Sequence, residues 1–318
     1  MEPEKYFPSP PTILCSTRWW TKETVAVVTG GNKGIGFALV KRLAELGLSV
    51  VLTARDKHKG EAAVESVRAQ LGQIAPNHDV HFLLLDVSDP DSIKTFASSF
   101  KAKFGATLDI LVNNAGVSYN ELDESSVDHA EIVLKTNFYG PKLLIEALLP
   151  LFRFSSSITR ILNVSSRLGS LSKMRNAEVK RILESDELKE EEIEDMVKKF
   201  LRDVKNGTWK SEGWPSYWTD YAVSKLALNA YSKVLAKRYN INNDSYKLGS
   251  ATKLMSVNCF CPGFTQTSMT KGKGTHTADQ AASLAAILTL LPPHHLPTGK
   301  FFLLRNNNTF LRIANSKL

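Results

Sequence analysis

Cysteine is scarce in this chain. Its 318 residues hold three, Cys15, Cys259 and Cys261, too few for a disulfide framework. Cys259 and Cys261 sit two apart in SVNCFCPG, a strand-like stretch that turns both thiols to one face. Without a further Cys nearby they read as buried, inert thiols of a reducing cytoplasm, and no metal site is expected. Long apolar runs are missing too. None approaches the roughly 18 residues of a spanning helix, so no membrane segment is expected. The opening MEPEKYFPSPPTILCSTRWW carries acids and prolines but no apolar stretch, so it reads as an extension over residues 1–22 and not as a secretory leader. There is no internal repeat and no dense basic block. The net charge of +8 is dispersed along the chain, which argues against a nucleic-acid or membrane-surface binder.

What is present is an alternation of β-branched runs with longer helical patterns, the mark of a parallel sheet with crossover helices. Strands are predicted at Thr24–Thr29, Ser49–Thr53, His81–Leu85, Asp109–Val112, Thr159–Val164, Ser256–Phe260 and Lys300–Leu304. Helices are predicted at Gly34–Leu46, Lys57–Leu71, Pro90–Phe104, Val127–Phe154, Thr219–Tyr239 and Thr277–Leu290, with Pro141 bending the fourth. The expected fold is α/β, a Rossmann-like doubly wound sheet of seven parallel strands forming one domain over residues 23–318. A charge-rich insertion at about 170–215 interrupts the alternation. Its apolar positions, among them Ile193, Val197 and Phe200, recur at helical spacing. The polar stretch Asn240–Lys253 reads as a loop.

The first strand runs into Gly30-Gly31-Asn32-Lys33-Gly34-Ile35-Gly36 and then a helix. Glycines let backbone approach a pyrophosphate, and a helix N-terminus welcomes its charge. The second strand ends at Arg55 with no carboxylate to grip an adenosine ribose; Asp56 follows one residue later. Arg55 with Lys33 offers two positive charges to a 2′-phosphate, which favours NADP over NAD. Asp86 and Asn113, with Ala115 and Gly116 behind it, lie where strands end. Asp86 suits an adenine amino group, and Asn113 suits holding the chain beside it, although either residue also serves simply as a turn former. Tyr221 and Lys225 are four apart on a helix face, and Ser165-Ser166 end the preceding strand. A phenol beside an ammonium is expected to have a lowered pKa and to serve as acid or base, with a serine steadying the substrate oxygen.

TGGNKGIG, NNAG, LKTNFYG, NVSSRLG, YAVSK and CPGFTQT stand in the order typical of the short-chain dehydrogenases/reductases, over about Thr24 to Phe310. GGNKGIGFALV, the long insertion before GWPS, and GFTQTSMTKGKG further resemble carbonyl reductases and the plant branch of neomenthol dehydrogenases and salutaridine reductases. The resemblance implies a catalytic tetrad of Asn137, Ser166, Tyr221 and Lys225. Tyr221 would protonate the carbonyl oxygen, Lys225 would hold ribose hydroxyls, and Asn137 would hold a relay water. It also implies that Pro262, Gly263, Thr265 and Thr267 lie beside the nicotinamide carboxamide. NADPH-dependent reduction of an apolar or terpenoid-like ketone or aldehyde follows as the expected function, in a pocket lined by Tyr119, Leu168, Trp214, Phe264 and Met269. A non-catalytic NADP(H) sensor of the same fold is the alternative. In carbonyl reductase-like relatives the insertion keeps the protein monomeric, and the same is expected here.

Overall fold

The computed structural model describes residues 18–72, 79–119, 126–154, 159–239, 255–292, 296–304 and 311–313. Cys15 and the loop expected at 240–253 lie outside them. The strands are β1 (Val25–Val28), β2 (Ser49–Ala54), β3 (Asp79–Leu84), β4 (Leu108–Asn113), β5 (Thr159–Val164), β6 (Met255–Cys261), β7 (Phe301–Leu304) and β8 (Leu311–Ile313). The helices are α1 (Gly34–Glu45), α2 (Lys57–Leu71), α3 (Pro90–Phe104), α4 (Val127–Leu134), α5 (Gly140–Leu148), α6 (Ala177–Glu184), α7 (Glu190–Lys205), α8 (Thr219–Arg238) and α9 (Ala278–Leu290).

The sheet order is β3-β2-β1-β4-β5-β6-β7-β8. The first seven strands pair in parallel, as expected of near-continuous apolar runs covered on both faces. β8 was not foreseen; it closes one edge antiparallel to β7, with Leu303 opposite Arg312. One apolar layer joins Leu39, Val64 and Leu284 of α1, α2 and α9 to one face of the sheet. The other joins Phe96, Leu134, Leu144 and Val223 of α3, α4, α5 and α8 to the opposite face. Strand order reverses between β1 and β4, which opens a crevice at their carboxyl ends, the usual ligand site of such sheets.

The fourth helical pattern is not continuous. Between α4 and α5 the chain makes a π-helical turn over Lys135–Tyr139. Pro141 follows after Gly140; having no N–H, it cannot donate to the carbonyl of Asn137, and the α-helical ladder fails there. The bend therefore falls on the residue the family resemblance singles out.

The insertion folds as α6 and α7. Ile193, Val197 and Phe200 have no exposed surface, and α7 packs on α4 and α8. Lys142 of α5 fastens the edge of this contact, with its Nζ 2.7 Å from Glu190 and 3.2 Å from Glu194. Arg18, Trp19 and Trp20, which the sequence assigns to the extension, pack against the domain. Trp20 Nε1 donates to the Leu46 carbonyl at 3.0 Å, Trp19 Nε1 donates to that of Leu290 at 3.1 Å, and the Arg160 guanidinium lies 3.5 Å from the Trp19 ring centre. Among the described residues no helix is long and apolar enough to cross a membrane.

Candidate active site

A cleft of about 1990 Å³ runs along the carboxyl ends of the strands, from Arg55 past the glycine-rich turn to Tyr221 and Phe264. At one end lies the turn after β1. The side chain of Lys33, the residue before α1, caps nothing, and the first turn of α1 holds no acid. By contrast α2, α3, α4, α6 and α9 are each capped by a side chain, Asp56, Asp89, Ser126, Asn176 and Thr277. The N–H groups at the start of α1 are thus left for an anion. Gly30, Asn32, Lys33, Gly34 and Ile35 line the cleft; Gly36 does not. Gly36 instead lets α1 sit against the turn: a Cβ there would lie 2.5 Å from the Gly30 carbonyl oxygen and 2.4 Å from Asn114 Nδ2.

At the end of β2, Arg55 is exposed on the cleft. The Asp56 carboxylate is occupied, accepting the N–H of Lys59 at 3.0 Å, and that bond holds its pKa below the ordinary carboxylate range. Lys59 also lines the cleft. It is a cation the sequence analysis passed over, although its place one turn into α2 beside Arg55 was readable. Asp86 lines the cleft as well, with one carboxylate oxygen already accepting Ser88 N–H at 2.9 Å and Ser88 Oγ at 2.6 Å.

Asn113 is not a cleft residue. It ends β4 with its side chain turned into the protein, where Nδ2 donates to Asn163 Oδ1 at 2.8 Å, and it is 3% exposed. The cleft-facing asparagine is Asn114, which the sequence analysis missed. Its Nδ2 donates to the carbonyls of Thr29 at 2.9 Å and Gly30 at 3.2 Å, clamping the glycine-rich turn to β4. Thr29 Oγ1 completes the clamp by accepting the N–H groups of Asn114 and Ala115. Ala115 and Gly116 then form the cleft floor.

The remaining groups converge from β5, the π-helical turn and α8. Ser166 Oγ accepts the Leu168 N–H at 3.1 Å, and Ser166 lines the cleft together with Tyr221. Its approach to α8 requires Gly169, where a Cβ would lie 2.5 Å from the Lys225 carbonyl carbon. Lys225 is 4% exposed; its Nζ donates to the Val164 carbonyl at 2.8 Å and stands 5.5 Å from the Tyr221 ring centre. Asn137 does not reach the cleft with its side chain. Its Oδ1 accepts from Val117 N–H, and its Nδ2 donates to the Val117 carbonyl and to Ser224 Oγ at 3.1 Å. Ser224, absent from the sequence reading, thereby links the bend to the first turns of α8.

The expected lowering of the Tyr221 pKa is not found. Burial raises it, the neighbouring Cys261 raises it further, and only the Ser166 hydroxyl opposes them. Lys225 faces the ring and bonds to Val164, and burial pulls its own pKa down to about 8. Cys259 and Cys261 are buried free thiols, with burial pushing Cys259 up to about 12.

Across the cleft Pro262, Gly263, Thr265 and Thr267 follow β6. The Thr265 hydroxyl is spent on the turn, donating to the Pro262 carbonyl at 2.9 Å. Thr267 reaches toward Gly34, its Cγ2 3.4 Å from where a Cβ would sit there. Of the residues expected to line a substrate pocket, Tyr119, Leu168, Phe264 and Met269 do so. Trp214 does not: it is 2% exposed, packed edge-on to Phe200 and donating Nε1 to Asp203 at 2.8 Å. The cleft wall there is made by Tyr217 and Trp218. Among the described residues no three His, Cys, Asp or Glu side chains are grouped to hold a metal.

A doubly wound sheet, an anion-ready glycine turn at its switch point and a Ser–Tyr–Lys cluster on the same edge define the class, a dinucleotide-dependent oxidoreductase of the Rossmann type. The chain belongs to the short-chain dehydrogenase family, whose model matches residues 24–178. It is 38% identical to (+)-neomenthol dehydrogenase of Arabidopsis thaliana, over 87% of this chain and 95% of that protein. It is 39% identical to salutaridine reductase of Papaver bracteatum, over 89% of this chain and 94% of that protein. The solved structure of salutaridine reductase from Papaver somniferum superposes with a TM-score of 0.75 at 36% identity, covering 87% of this chain and 99% of that one.

Proposed function

We propose that the protein reduces an apolar ketone or aldehyde to an alcohol with NADPH. The observation that carries this reading is the convergence of Ser166, the half-buried Tyr221 and Lys225 on one cleft with the uncapped start of α1. The cleft residues fit a phosphorylated dinucleotide. Gly30, Asn32, Gly34 and Ile35 hold its pyrophosphate, and Arg55, Lys33 and Lys59 hold the 2′-phosphate. Asp86 takes the adenine, and Pro262, Gly263, Thr265 and Thr267 take the carboxamide. When bound, the nicotinamide supplies the hydride. Tyr221 gives its proton to the carbonyl oxygen while Ser166 donates a hydrogen bond to the same oxygen. Lys225 holds ribose hydroxyls. Asn137, in the π-helical turn, holds the water that passes protons to Lys225. The names of the relatives support a carbonyl substrate and NADPH: neomenthol dehydrogenase, salutaridine reductase, and carbonyl reductase [NADPH] 1 of Mus musculus. The protein works in the cytoplasm as a monomer. The test is cofactor oxidation, with product analysis, over a panel of ketones, aldehydes and terpenoids; alcohol from none of them would leave a non-catalytic NADP(H) sensor as the reading.

NADPH is expected to outperform NADH, and Arg55→Asp to erase much of that preference. A charge-assisted contact is worth roughly 1.5–3 kcal/mol, about ten- to a hundredfold in affinity. Equal kcat/KM for the two cofactors in the wild-type protein would refute the role of Arg55.

The pH dependence has a definite sign. Lys225, lowered to about 8 by burial, carries its charge below that value and loses it above. Tyr221, raised by burial, keeps its proton through the same range. Since kcat/KM for NADPH reports groups of the free enzyme, it should decline as pH rises through about 8. A flat profile from about pH 6 to 10 would remove Lys225 from cofactor binding.

A further inference from the structure

The chain enters α8 through a left-handed residue that is a tryptophan. Trp218 has φ 50° and ψ 51°, and among the described residues only Lys271 shares a positive φ outside glycine. A bulky ring is a rare occupant of that region, and backbone strain persists where its surroundings enforce it. Here they do. The Trp218 carbonyl accepts the Ala222 N–H at 2.7 Å, and Thr219 Oγ1 donates to the Pro215 carbonyl at 2.8 Å.

The strained turn sets two rings at the cleft. Trp218 stands edge-on to Tyr221, ring centres 6.0 Å apart and planes at 80°. It stacks on Tyr217 at 5.5 Å and 20°. Both line the cleft beside the phenol, and Tyr217 is 63% exposed. Neither ring belongs to the apolar layers that hold the sheet and helices together. The fold thus gains no core packing from a conformation that a glycine would adopt without strain.

We propose that the Tyr217–Trp218 stack determines substrate specificity, selecting ketones carried on a flat ring, such as aryl ketones and cyclic enones, over open-chain aliphatic ketones. The inference rests on the carbonyl-reductase reading of this same site. A flat ring laid on the aromatic wall gains offset-stacking contacts that a flexible chain does not match, because the chain must also give up rotamer freedom to lie flat.

The experiment compares kcat/KM with NADPH for indanone and for a straight-chain nonanone in the wild-type protein, Trp218→Gly and Trp218→Phe. Glycine suits the left-handed turn, so Trp218→Gly keeps the entry to α8, which thermal melting checks. The wild type should prefer indanone. Trp218→Gly should cut that preference about tenfold through KM for indanone, and Trp218→Phe should restore most of it. A wild-type preference for nonanone would overturn the proposal. So would a ratio unchanged in Trp218→Gly: if Trp218 only steadied Tyr221, both ketones would lose kcat together. Should Trp218→Gly melt early, Trp218→Phe against Tyr217→Ala decides, since only the latter should lower the ratio. If the wild-type protein turns over neither ketone nor any other carbonyl, the carbonyl-reductase reading itself fails, a result distinct from a changed ratio.

Discussion

Tyr221→Phe is expected to lower ketone turnover about 10²–10⁴-fold, the usual worth of a positioned general acid, while NADPH binding stays within severalfold. The substitution removes one oxygen. It keeps the ring that Trp218 meets edge-on and that Lys225 faces at 5.5 Å, so the walls of the cleft remain. What is lost is the phenolic proton that Tyr221 brings to the cleft beside Ser166. Burial raises the pKa of that phenol, so at neutral pH the group stands ready as an acid, which suits reduction. Oxidation of an alcohol asks the same group to act as a base, and there the raised pKa works against it. The loss is read from steady-state turnover beside a fluorescence titration of NADPH. Turnover within a few-fold of the wild-type protein would sink the assignment of Tyr221 as the acid.

The residues that the sequence made legible are those whose chemistry is carried by the backbone. Seven strands and the six expected helical regions lie within a few residues of their predicted places, because apolar periodicity and glycine turns are local properties. The glycine turn is of this kind, and so are the ends of β2 and β5. Side-chain direction was another matter. NNAG offers two adjacent asparagines, and strand alternation sends them opposite ways; only the sheet tells which side holds the cleft. Asn113 went to Asn163 and Asn114 to the glycine turn. Trp214 failed for a similar reason, since its nearness to Tyr221 in sequence says nothing of Asp203, which accepts its Nε1 from the far side of the insertion. The pKa of Tyr221 was misjudged because spacing puts Lys225 on the same helix face but does not reveal the desolvation of the phenol, which raises its pKa against the Ser166 hydroxyl alone. β8 has only three residues, too short for alternation to announce it.

Phe200→Ala is expected to destabilise the protein by about 3–5 kcal/mol, the range for emptying a buried aromatic site. Phe200 has no exposed surface, meets Trp214 edge-on at 5.1 Å, and lies in the layer that joins α7 to α8. Because α8 carries Tyr221 and Lys225, the loss should register in the cleft as well as in the melting curve, with hydrogen exchange rising first along α7. The same packing bears on assembly. α7 lies over α4 and α8, so the face these two helices present is already covered by this chain's own apolar stripe. Light scattering should therefore report a mass near 35.2 kDa. A change in stability below about 1 kcal/mol would mean that the insertion is only loosely attached. A stable dimer built on α4 and α8 would mean that α7 moves aside in solution, and the monomer would have to be given up.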